Sequence, residues 1–187
     1  SFIGQLPTWQ VGDWGQFAFY DPGTTLKGDV LITRGYIPTI DFGYTHGLLS
    51  LLFGRAGFGL LGRTPQVFWI LTLLCEMAMA WGFARLLTAL EIGAAGICVM
   101  LAALPFAVMP AYLTLTHPLE AALIVWALAF QAEGATGMWK SHGKNAGKGW
   151  ALALMTVCIF VKPSMAYLEG AVLIALMLWE ATWLEGR

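Results

Sequence analysis

From position 65 onward the sequence is one apolar stretch after another, with too few polar residues to give those stretches a water-facing side. The runs are 65–87, 92–116, 118–132, 149–161 and 164–183. A helix needs about 20 mostly apolar residues to cross the ~30 Å hydrocarbon core of a bilayer. Taken as one helix, 149–183 would extend about 52 Å at ~1.5 Å per residue. A break is therefore expected at Lys162-Pro163, because proline disfavours helix at the residue before it. About five spans result, two of them short and dependent on their neighbours.

Composition closes off the other classes. Charged residues make up 11% of the chain and hydrophobic ones 58%, whereas a soluble domain carries about 25% charged residues. So apolar a chain is not disordered. A net charge of −1 leaves no basic face for nucleic acid. Cys75, Cys98 and Cys158 lie far apart inside apolar runs and read as buried small hydrophobes. Most tryptophans, among them Trp69, Trp126, Trp150 and Trp183, fall near predicted span ends, as in an aromatic belt. The expected fold is all-α: a polytopic transmembrane helical bundle over 63–187, with juxtamembrane helices in an exoplasmic segment over 1–62. The first residue is Ser1 and no signal-peptide pattern follows it, so the chain is expected to belong to a longer one.

Loop charge gives the orientation. Lys140, Lys144 and Lys148 share the 133–148 linker, and Arg85 falls on the same side. The positive-inside rule makes that side cytoplasmic. Residues 1–62 then face outward, across the inner membrane of a bacterium, although Arg34, Arg55 and Arg63 lie on that outer side.

The outer segment holds four of the eleven acids: Asp13, Asp21, Asp29 and Asp41. A short helix is expected over 26–34, with Asp21 or Thr24 as its N-cap and Gly35 as its stop. The stretch 46–62 is apolar, short and interrupted by Arg55, which suits a helix lying in the interface. Gly54, Gly57, Gly59 and Gly62 give it small-residue spacing for close helix contact. Asp21 has two readings, a helix cap or a general base that takes a proton from an acceptor hydroxyl. Asp41 reads equally as a turn residue. His46 either donates a hydrogen bond to a phosphate or positions an acceptor, or it is a polar residue opening the interfacial helix. Inside the spans, Glu76 is the deepest ionisable group, and Glu120, Lys162 and Glu169 lie near the outer level. Lys162 either snorkels or binds a lipid phosphate. His117 and Glu120 are two ligands at most, too few for a metal site.

The order of these features resembles the membrane glycosyltransferases of the C superfamily, the polyprenyl-phosphate-sugar-dependent class that includes dolichyl-phosphate-mannose-protein mannosyltransferases. In that class an Asp opens a segment closed by a G-x-x-P-Y-x-D-F stretch. Here Asp21 opens it and Gly35-Tyr36-Ile37-Pro38-Thr39-Ile40-Asp41-Phe42 closes it. His46-Gly47-Leu48-Leu49 corresponds to the family's H/K-G-P-L start of an interfacial helix, and Leu60-Leu61-Gly62 to its end. Val161-Lys162-Pro163 corresponds to a helix ending in Lys-Pro. The family's Asp-Glu pair is Asp21-Pro22 here.

The resemblance implies a catalytic base at Asp21, support for the acceptor from Asp41, and a lipid-phosphate contact at Lys162. Arg34, Tyr44 and His46 join Lys162 as substrate-binding candidates. The expected partners are the lipid bilayer, a polyprenyl-phosphate-linked sugar and other membrane proteins. No cofactor is assigned, and a divalent cation is left open. The alternative is a non-catalytic accessory or scaffold subunit of a larger membrane complex.

Overall fold

The computed structural model describes residues 16–44, 46–108, 115–136 and 146–163, together with 170–172, 174, 175 and 178; for residues 16–24, 65 and 104–108 the description covers the backbone alone. The described chain is all-α, with helices α1 (Gln16–Thr33), α2 (Leu48–Leu61), α3 (Pro65–Ala89), α4 (Ala94–Val108), α5 (Thr116–Thr136) and α6 (Ala146–Val161). Glu169 and the run 164–183 fall largely outside the described residues, as do Lys140, His142 and Lys144.

One helix, Gln66–Ala89 in α3, is long and apolar enough to cross a membrane. Its start follows from local chemistry: Thr64 accepts a hydrogen bond from the Val67 N–H and Pro65 occupies the first turn. Phe68, Leu71, Cys75 and Met79 bury one face of α3. Ile70, Leu74, Met77 and Trp81, at i, i+4, i+7 and i+11, form an exposed stripe on another. Helix α3 thus carries apolar side chains both on its buried face and along an exposed one. Glu76 is half-buried and finds no hydrogen bond or ion pair among the described residues. Cys75 and Cys158 are buried as expected; Cys98 is exposed on α4, contrary to expectation.

The bundle is built around α5, which packs against α3 on one side and α6 on the other. Small residues set the approach. The Trp126 indole lies where a Cβ on Gly82 would stand, and its Nε1–H donates to the Ala78 carbonyl at 2.8 Å. At the other contact Gly147 packs against Gly134, and a Cβ on Gly147 would meet the Phe130 carbonyl. The expected linker over 133–148 needs correction. Glu133 is a buried residue of α5, and its carboxylate takes both arms of Arg85, each at 2.7 Å. The guanidinium also lies 5.1 Å from the Trp126 ring centroid and 5.6 Å from that of Phe130. An apolar bundle tolerates a buried carboxylate only when a cation answers it, and that requirement extends α5 beyond the run visible in the sequence.

The outer layer is α1 and α2. The helix expected over 26–34 is the second half of α1, so Asp21 and Thr24 stand at interior helix positions and not at its start. Gly35 stops the helix as expected. It adopts φ +89°, and the Gly35 and Tyr36 N–H groups return to the Ile32 and Leu31 carbonyls, a Schellman closure. Gly54 and Gly57 pack closely, against Thr25 and Leu115 and against Leu71. Gly59 faces open space and Gly62 is the turn at the end of α2, with φ +100°. The break expected at Lys162-Pro163 is present, because α6 ends at Val161.

The Arg85–Glu133 fork gives a stability prediction. Arg85→Met alone strands the Glu133 carboxylate and lowers stability by about 3 kcal/mol. The double variant Arg85→Met/Glu133→Leu recovers most of that loss. Thermal unfolding of the protein in lipid nanodiscs reads both.

Candidate functional site

The loop between α1 and α2 folds on itself before it reaches the bundle. Asp41 is exposed and accepts the Ile37 N–H at 2.6 Å, while its own N–H donates to the Ile37 carbonyl. Asp41 sits in a turn, and its carboxylate holds the loop closed. Thr39 takes φ +69° within this turn. Arg34 is exposed at the end of α1 and makes no side-chain hydrogen bond or ion pair among the described residues.

Past that turn the loop docks. The Gly47 N–H donates to the Val161 carbonyl at 2.9 Å, capping one of the free carbonyls at the end of α6. A Cβ on Gly47 would collide with the Phe160 and Val161 carbonyls, so glycine is required for the approach. This contact sets the loop beside Lys162. The His46 and Tyr44 rings meet edge to face, 5.7 Å between centroids. Tyr44 is hydrogen-bonded to Ser50 of α2 and Thr25 of α1, and burial raises its hydroxyl above the ordinary tyrosine pKa against the pull of those two bonds. It stays a neutral hydroxyl at physiological pH.

Lys162 faces Glu120 of α5, with Nζ 3.7 Å from Oε2. Of the residues expected at the site, the fold therefore gathers Tyr44, His46 and Lys162 at one end of the bundle. Arg34 and Asp41 stay at the surface turn of the loop. Asp21 stands on the backbone of α1, and its side chain lies outside the described part of the structure. Among the described residues no group of three or more His, Cys, Asp or Glu could hold a metal ion.

A second polar cluster was not anticipated as a unit. Asp29 is fully buried on α1 and receives Arg63 Nε at 2.6 Å and Arg55 Nη1 at 3.3 Å. Thr33 receives the other arm of Arg63 at 3.2 Å and donates to the Asp29 carbonyl at 2.8 Å. Arg55, which interrupts the interfacial stretch, and Arg63, which follows it, are thus the clamp that ties α1 to α2 and to the start of α3. The signal was present in the sequence as an acid and two bases, 26 and 34 residues apart, with nothing to say which of four acids they would choose.

No family model matches the chain, and no curated protein or solved structure matches it.

Removing the buried anion tests the clamp. Asp29→Ala leaves two guanidiniums converging on an empty position and loosens α1 from α2, a cost of about 3 kcal/mol for a broken buried pair. Tryptic cleavage after the exposed Arg34 is expected to accelerate in the variant, measured by limited proteolysis.

Proposed function

We propose that the chain acts in an integral-membrane glycosyltransferase that moves a sugar from a polyprenyl-phosphate donor to an acceptor at the outer face of the membrane. The observation that carries this reading is the docking of the His46-Gly47 loop onto the end of α6. It brings an imidazole, a neutral phenol and a lysine together at one end of an apolar bundle, where a lipid phosphate meets polar substrate. The polytopic part of the reading is supported by the exposed apolar side chains of α4 and α6, among them Val99, Trp150, Leu152 and Phe160. Helices α4 and α6 have 15 and 16 residues, about 22 and 24 Å, so each leans on its neighbours to cover a ~30 Å core. Residues 1–62 face the exoplasm in this reading, and the membrane is the inner membrane of a bacterium.

In the reaction, the acceptor oxygen bonds to the anomeric carbon as the bond from that carbon to the phosphate oxygen breaks. Asp21 takes the acceptor's proton. The electron pair leaves on the polyprenyl phosphate, and Lys162 stabilises the charge developing there. The bundle holds donor and acceptor in line.

The rival reading, a non-catalytic subunit, draws on the Glu120–Lys162 contact, since a lysine that already faces a carboxylate needs no phosphate to justify its place. Turnover of lipid-linked sugar by the full-length protein separates the two. Asp21→Asn is expected to cut turnover by 10²-fold or more, the usual contribution of a general base, with donor binding retained. Turnover unchanged in Asp21→Asn removes the base assignment.

A further inference from the structure

Two buried carboxylates on the same helix are treated in opposite ways. Glu133 has both oxygens engaged by the Arg85 fork at 2.7 Å. Glu120, thirteen residues earlier and so about 20 Å along α5, has neither oxygen so engaged. Its side chain is 8% exposed, and Lys162 approaches only Oε2, at 3.7 Å, beyond hydrogen-bonding distance. Oε1 is buried and has no hydrogen-bond partner among the described residues. Leaving such an acceptor unmade is costly, more so when it is charged. Lys162 is in the matching condition: it is about one-fifth exposed, and its ammonium, which has three N–H donors to give, makes no hydrogen bond among the described residues.

A cation with unspent donors therefore stands beside a carboxylate with an unspent acceptor. The complement of that pair is a ligand carrying an anionic oxygen next to a hydroxyl, which is the chemistry of a sugar joined to a phosphate. We propose that Glu120 is a specificity residue that accepts a hydrogen bond from a sugar hydroxyl of the donor while Lys162 holds its phosphate. The proposal rests on the glycosyltransferase reading and goes beyond it, because it assigns recognition of the sugar to α5 and of the phosphate to the end of α6. The half-buried His117, one turn before Glu120, and the docked His46-Gly47 loop border the same end of the bundle.

The experiment compares two probes on the full-length protein in nanodiscs: polyprenyl phosphate, and the same lipid bearing a hexose. Glu120→Gln keeps the size of the side chain and removes its charge. It is expected to weaken binding of the hexose-bearing lipid by about tenfold or more, the scale of one hydrogen bond to a charged group, and to leave the bare lipid unchanged or tighter, since Lys162 loses a competitor. Lys162→Met is expected to weaken both lipids. If Glu120→Gln unfolds, Glu120→Asp keeps the charge, withdraws it by one methylene, and is expected to show the same selective loss in smaller measure. Equal weakening of both lipids by a folded Glu120 variant, or no change in either, overturns the proposal and leaves the glycosyltransferase reading standing. Wild-type protein that binds neither lipid overturns both.

Discussion

Burying a carboxylate in an apolar bundle forces a cation to come to it, and α5 does this at both ends. Glu133 ties α5 to α3 through both arms of the Arg85 fork. Glu120 draws the end of α6 toward the same helix through Lys162. Between these contacts the packing is conventional: small residues let α3, α5 and α6 approach, Trp126 fills the space that Gly82 leaves, and Met155 packs in one cluster with Ala127 and Ala151. The two ends differ in how completely the charge is answered. The Arg85 end is closed by two short hydrogen bonds and two aromatic rings, whereas among the described residues the Lys162 end keeps donors and an acceptor unspent. That asymmetry separates a closed ion pair from the pair proposed to receive the donor.

The outer layer follows the same electrostatics at a smaller scale. Asp29 would be intolerable at full burial without Arg55 and Arg63, and with them it becomes the tie that binds α1 to α2 and to the start of α3. Once α1 is held, Thr25 and Ser50 can reach Tyr44, and the loop can lay Gly47 on the last carbonyls of α6. The candidate site at Lys162 therefore depends on a clamp that contains none of its residues.

Much of this was legible along the chain because it is local. Pro65 opening α3, Gly35 closing α1 and Lys162-Pro163 ending α6 are properties of single residues and their backbone geometry, and proline and glycine announce them. The expected helix over 26–34 was too short for the opposite reason. Pro22-Gly23 reads as a break, yet α1 runs through it. Asp41 was legible as a turn residue from its place among proline and glycine, and its bond to Ile37 spans only four positions. Pairings over longer separations were not legible. Arg85 with Glu133 and Lys162 with Glu120 are joined across 48 and 42 positions, and Glu133 looked like the start of a loop until a partner on another helix explained its burial.

By itself the sequence determined that the chain is helical and apolar, where α1 and α6 stop, and which few residues carry polar chemistry. Periodicity, proline, glycine and composition act over a turn or two of backbone, and they do so whatever the rest of the chain does. Only the tertiary structure decided which charge meets which. Arg55 and Arg63 chose Asp29 among the acids of residues 1–62, and Lys162 came to Glu120 with one carboxylate oxygen left without a partner among the described residues. Partner choice between distant charges is settled by which helices pack together and how deeply each group is buried, and neither quantity exists until the helices are assembled.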